Sequence, residues 1–240
     1  MTPHSQYPIG TVAIMSGLPA VLWEFTWSLA RMVAFNSQYV CGPRQFIHYE
    51  PTRHSLHGVA RNGLAKTMQG EWLLMLDTDH KFDPDLLARM LNAMNTYRAD
   101  VVTALYLKKD ETHRPTLWKW QGDKYAQLAG WDDKQVLEIG AAGAGCLLVR
   151  RSVFERIEEE MHEEPFSTSE FPGVVGEDFA FFNRLRMLGI KPIVVPWIEC
   201  HHLMVKPLVA AEDYDPDHLE PGEREVVVPA NRFLAQAVTR

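Results

Sequence analysis

Asp77 and Asp79 stand one residue apart at the end of the apolar run Trp72 to Leu76, so two carboxylates project from a tight turn beyond a buried segment. Such a turn offers hard oxygen ligands and suits a divalent cation shared with a phosphate group. Far along the chain, His201 and His202 follow another short apolar run. An imidazole added to the acidic turn moves the metal preference from magnesium toward manganese. Cys200 offers a softer zinc alternative, but no second cysteine lies at ligand spacing. Glu177 and Asp178 open a helical pattern, where the positive end of the helix stabilises a carboxylate as a base; either acid also reads as a simple helix cap. Asp83 and Asp85, on each side of Pro84, read as helix-opening residues.

Arg61 and Asn62 lie on a helical stretch before the acidic turn, and their guanidinium and amide are placed to contact phosphate, ribose or base. The run Gly140 to Gly145 would let backbone approach a ligand closely, because glycine removes the Cβ. It lacks the position after a first strand that a dinucleotide fingerprint requires, and no Walker loop occurs in the chain.

The elements that must position these groups alternate. Val12 to Met15 reads as a strand, the stretch from Pro19 to about Phe35 as a helix, and Phe46 to Tyr49 as a second strand. Leu56 to Met68 reads as a helix closed by Gly70, Trp72 to Leu76 as a buried strand, and Val101 to Tyr106 as a fourth. Such alternation predicts a mostly parallel, doubly wound sheet with ligands beyond the carboxyl ends of its strands. The Trp-rich stretch from Lys108 to Ile139 reads as short antiparallel strands or a covering loop. A strand ending at Val149, a helix from Arg151 to Met161, a loop from Glu163 to Gly176, a helix from Glu177 to Gly189 and a strand at Ile193 to Val195 complete the pattern.

The chain has 240 residues, 46% hydrophobic and 23% charged, which excludes a largely disordered protein. Its net charge of -7 lacks the basic footprint of a protein that coats nucleic acid. Cys41, Cys146 and Cys200, odd in number and widely spaced, fit no disulfide framework and indicate a reducing compartment. The first apolar stretch has no basic residues before it and contains Glu24 and Arg31, so neither a secretion signal nor a membrane span is expected, and the location expected is cytoplasmic. The expected organisation is one α/β domain over residues 1–210, followed by an acidic excursion and short helix over 211–240.

Taken together, Ala60-Arg61-Asn62-Gly63-Leu64, Gly70 to Asp79, Gly143 to Arg151, Gly176-Glu177-Asp178-Phe179 and Cys200-His201-His202 resemble the GT-A glycosyltransferases, nearest to soluble family-2-like enzymes of phages and bacteria. The order and spacing match from about residue 10 to residue 205. The resemblance implies a Rossmann-like GT-A domain with a central, mostly parallel sheet flanked by helices. It implies an enzyme that moves a sugar from a UDP- or GDP-linked donor to a hydroxyl acceptor, with Mn2+ or Mg2+ as cofactor. By the same resemblance, Asp79 is the direct metal ligand, Asp77 contacts ribose or metal-bound water, His202 is the third protein ligand and His201 its reserve. Asp178, with Glu177 beside it, is the base if the enzyme inverts the anomeric centre. Ser16 and Gly17, with Arg61 and Asn62, line the nucleotide pocket, and Gly143, Ala144 and Gly145 form the wall beside the donor sugar. The Gln-x-x-Arg-Trp segment and membrane helices of processive synthases are missing from the sequence, which favours single additions. The acceptor stays open among a saccharide, a small molecule and a modified nucleobase of phage DNA, as does homo-oligomerisation. The competing expectations are a nucleotidyltransferase that makes nucleotide sugars, which should carry a Gly-rich, Arg-containing loop where Ser16-Gly17-Leu18-Pro19 stands, and a domain that binds nucleotide sugar without turnover.

Overall fold

The computed structural model describes residues 7–16, 21–40, 46–51, 57–110, 112–168 and 176–204, with backbone alone at Ser16 and 46–51. Gly17, Cys41 and the expected excursion over 211–240 lie outside the described residues. All described residues belong to one unit, Met1–Met204.

Apolar runs too short for helices become strands, and the amphipathic stretches between them become the covering layers. In chain order the first half is β1 (Thr11–Ser16), α1 (Trp23–Tyr39), β2 (Phe46–Pro51), α2 (His57–Thr67), β3 (Trp72–Asp77), β4 (His80–Phe82), α3 (Leu86–Thr96) and β5 (Val101–Leu105). Then follow β6 (Leu117–Gln121), β7 (Lys124–Gln127), β8 (Leu137–Glu138), β9 (Ala141–Ala142), β10 (Cys146–Arg150), α4 (Arg151–Met161), α5 (Glu177–Met187) and β11 (Ile193–His202). The main sheet has the order β2-β1-β3-β10-β5-β11-β4, with β8 also pairing β11. β1 runs parallel to β2 and β3, and β11 runs parallel to β5. β10 lies antiparallel between β3 and β5, which makes the sheet mostly rather than wholly parallel. β6 and β7 of the Trp-rich stretch form, with β9, a second, antiparallel sheet of order β7-β6-β9.

The central strands are buried on both faces, and the period of two sorts their side chains between two cores. Trp72, Leu74 and Leu76 of β3 join Phe25 and Met32 of α1 and Met90 and Leu91 of α3. Leu73 and Met75 point the other way, to Leu64 of α2, Phe154 of α4 and Phe181 of α5. The same parity assigns the chemistry at the strand ends. Asp77 shares the face of Leu73 and Met75, toward α2 and α5.

Three local differences from the sequence expectation matter. The turn Asp77 to Asp79 does not lead straight into a helix: β4 intervenes and pairs antiparallel with the end of β11, placing His80 opposite His202 and Phe82 opposite Cys200. The last strand, expected at Ile193 to Val195, continues to His202 with an irregularity between Val195 and Glu199. The helix expected to open on Asp83-Pro84-Asp85 begins at Leu86, with Asp85 at its N-cap position and no side-chain cap. Cys146 and Cys200 are free, buried thiols.

Candidate active site

Two groups of polar side chains gather beyond the carboxyl end of β3, and each is assembled by a different strand pairing. The first forms around Asp79. Pairing of β4 with β11 brings His80 and His202 together, and their rings stack at 4.3 Å. One ligand atom from each of Asp79, His80 and His202 lies within 4.8 Å of the others. His80 is fully buried, with its Nδ1 3.3 Å from Asp79 Oδ1. Asp79 Oδ1 and both ring nitrogens of His80 lack a hydrogen-bond partner within the protein. Leaving buried polar atoms unpaired is costly, so a donor set of one carboxylate and two imidazoles in this state fits a divalent transition metal.

The neighbours tune these groups toward ligation. His202 donates Nδ1–H to the carbonyl of Leu107, which leaves Nε2 with its lone pair. Burial, together with the nearby His80, lowers the proton affinity of His202, so the ring is neutral near pH 7. Burial would raise the pKa of Asp79, but the His80 ring beside it and the Lys109 ammonium outweigh it and hold the carboxyl below the usual carboxylate range. Tyr106 packs edge-on against both imidazoles and closes the cluster from the β5 side.

The second group is organised by Arg61, which is 3% exposed. Its guanidinium donates to Asp77 Oδ1 at 3.3 Å, to Glu177 Oε1 at 3.4 Å and to the carbonyl of Ala144 at 3.0 Å, and it lies 3.8 Å from Asp178 Oδ1. Burial opposes the positive charge, yet Asp77, Asp178 and Glu177 together raise the arginine pKa above its ordinary value. Asp178 Oδ2 accepts the backbone N–H of Ala144 at 3.2 Å, whereas its Oδ1 is buried and without a hydrogen-bond partner. Burial dominates the Asp178 carboxyl: with Glu177 and Asp77 beside it, and with Arg61 and the Ala144 N–H pulling the other way, its pKa rises to about 7.

The segment Gly143-Ala144-Gly145 joins the two groups. Gly145 donates its N–H to the Tyr106 hydroxyl at 3.0 Å, and its carbonyl accepts the Asp77 N–H at 2.9 Å. A Cβ at Gly145 would meet His80 Cε1 at 2.6 Å and Asp77 Oδ2 at 3.0 Å, so the two clusters approach only because this residue has no side chain.

The structure does not bring every expected residue to one place. His201 is exposed, because along β11 Ile198, Cys200 and His202 face inward while Trp197, Glu199 and His201 face outward. Asp77 is outside the Asp79 cluster and is held by Arg61 on the other face. Arg61 and Asn62, expected to line the nucleotide pocket, are both buried. The Asn62 amide donates to Glu164 Oε2 at 3.0 Å, and its oxygen accepts the Phe166 N–H at 2.8 Å, so it latches the segment before α5. Ser16 ends β1, whose Met15 is in register with Asp77, and Gly17 lies outside the described residues. The residue that the sequence reading missed is His80. The signal was present, since an imidazole directly after an acidic turn, opposite a strand ending in His202, is what a short β4 would create.

Comparison with known proteins agrees with this architecture. The chain matches the glycosyl transferase family 2 model over residues 29–158. Among solved structures, the crystal structure of A197 from STIV superposes with a TM-score of 0.52 at 18% identity, covering 81% of this chain and 85% of that one. At that identity the likeness speaks for the fold, here the GT-A type. No curated protein matches the chain. A family match over more than half the residues, on a sheet with acidic groups gathered at its strand ends, makes the chain a member of glycosyl transferase family 2 and an enzyme of glycosyl transfer.

Proposed function

We propose that the enzyme takes its sugar from a nucleotide-diphosphate donor, UDP- or GDP-linked, and transfers it to a hydroxyl acceptor in single additions, with Asp79, His80 and His202 holding a divalent cation. Manganese suits this set better than magnesium, because two of its three donors are imidazole nitrogens. A cation bound there supplies positive charge against the oxygens of the departing nucleoside diphosphate. The observation that carries the reading is the convergence of Asp79, His80 and His202 around buried, unpartnered donor atoms beside a base-competent carboxylate.

The protein's own groups divide the remaining work. Asp178 Oδ1, buried and without a hydrogen-bond partner, is the atom that accepts the proton of the acceptor hydroxyl as the new bond forms. A carboxyl with a pKa near 7 suits that task, since it is substantially ionised at neutral pH yet binds a proton well. Arg61 fixes Asp178, Glu177 and Asp77 relative to one another. Ser16, which ends β1, and Gly17, next in the sequence, are proposed to line the nucleotide pocket with Asp77, and Gly143 to Gly145 the wall beside the donor sugar. Among the described residues no helix is long and apolar enough to cross a membrane.

A thermal-shift panel of nucleoside diphosphates and nucleotide sugars, with and without manganese, tests the reading. A ligand that binds only the folded state raises its apparent stability. One nucleotide class should raise Tm with manganese and much less without it. A flat panel in both conditions would remove the donor and cation assignments.

A further inference from the structure

Asp79 divides its carboxylate between two neighbours. Oδ1 faces His80, and Oδ2 makes an ion pair with the ammonium of Lys109. Lys109 belongs to the segment that leaves β5, two residues beyond Leu107, whose carbonyl orients His202. The backbone of this segment is pinned: Leu107 bridges Pro115, and the Lys108 N–H donates to the carbonyl of Arg114 at 2.8 Å. The Lys109 side chain, 41% exposed, is the part free to move. The neighbouring acid Asp110 does not compete for it, because its carboxylate accepts the N–H and the hydroxyl of Thr112.

We propose that Lys109 is the resident counter-ion of the Asp79 site, displaced when a divalent cation binds and then turned onto the diphosphate that arrives with it. The proposal rests on the reading of Asp79, His80 and His202 as the cation site. An ammonium in contact with Asp79 Oδ2 repels a divalent ion seated on the same carboxylate, so the two compete. A half-exposed ion pair is weak, so the displacement is readily reversible. Lysine suits the exchange because its charge rides on a flexible stem and can follow an anion, where the planar fork of arginine would favour the fixed carboxylate. In its unliganded state the protein therefore guards its acidic turn against loose metal binding. Metal and diphosphate help each other to bind, because the ammonium evicted by one becomes a ligand for the other.

The test uses the whole chain, with manganese alone followed by UDP and GDP, and reads free manganese by electron paramagnetic resonance. Lys109→Met should bind manganese roughly two- to fivefold more tightly than the unaltered protein, the range expected for loss of an exposed ion pair. The increase in manganese affinity caused by a saturating nucleoside diphosphate should be smaller in Lys109→Met. Unchanged or weaker manganese binding by Lys109→Met would overturn the counter-ion role, and an undiminished diphosphate effect would overturn the second half. Asp79→Asn separates the two levels. If the unaltered protein binds no manganese, or if Asp79→Asn binds it equally well, the cation site itself is wrong, whatever Lys109 does.

Discussion

If Asp178 is the base, as proposed, function and stability oppose each other most directly at this residue. Its carboxyl titrates near 7 in the folded protein, well above the ordinary carboxylate range, chiefly because of burial. A raised folded-state pKa means that the contribution of this group to stability is fully present below about pH 4 and is lost as pH rises through about 7. Asp178→Asn should therefore melt above the unaltered protein at pH 8 and close to it at pH 4, as thermal denaturation across that range will read. The same change should reduce transfer by roughly 100- to 10,000-fold, the usual contribution of a general base. In the unaltered enzyme, kcat/KM should rise with pH through about 7 as Asp178 ionises. A melting difference that does not vary with pH would show that the carboxyl is not buried in this way. Gly145 gives the second prediction at this scale. A methyl group there would strike His80 and Asp77 together, so Gly145→Ala should cost about 1–3 kcal/mol in urea unfolding and abolish the stabilisation by manganese.

At the scale of elements, Arg61 is the tie between α2, β3 and α5. Replacing it with methionine leaves Asp77, Glu177 and Asp178 facing one another without their common cation, and should destabilise the fold by about 3–5 kcal/mol at neutral pH. Arg61→Lys should recover part of that loss, and urea unfolding of the two variants compares them. The elements themselves were legible where local physics suffices. Trp72 to Leu76 is a continuous apolar run and became β3; Arg151 to Met161 has a helical period and became α4. The antiparallel setting of β10 was not legible, because its apolar run reads alike in either direction and only the sheet decides. β4 was hidden for another reason. Three residues, His80-Lys81-Phe82, hold too little pattern to outvote the helix signals of Asp83-Pro84-Asp85, and the strand exists because β11 offers it an edge. Missing β4 meant missing His80. It also concealed that His202 faces inward and His201 outward, which the alternation of Ile198, Cys200 and His202 shows once β11 is known to run to its end. The types of the site residues could be read from the sequence; which face each one occupies required the pairing.

Across the whole molecule, the sheet separates two tasks. The parity of β3 sends Asp77 toward α2 and α5, where it meets Arg61 near Asp178, and the β4–β11 edge gathers Asp79, His80 and His202 into the group proposed to hold a cation. Gly143 to Gly145 run between them, so on the proposed reading the acceptor and the diphosphate share one wall. Cation and nucleotide should bind to this chain as a coupled pair, and coupling of this kind is reciprocal. Calorimetric titration of UDP and GDP into the unaltered protein and into Asp79→Ala, His202→Ala and His201→Ala, with and without manganese, measures it most directly. The account predicts at least tenfold tighter binding of one nucleotide with manganese, about 1.4 kcal/mol, in the unaltered protein and in His201→Ala, and no such gain in the other two. A manganese effect that survives in Asp79→Ala and His202→Ala, or is missing from the unaltered protein, would contradict it.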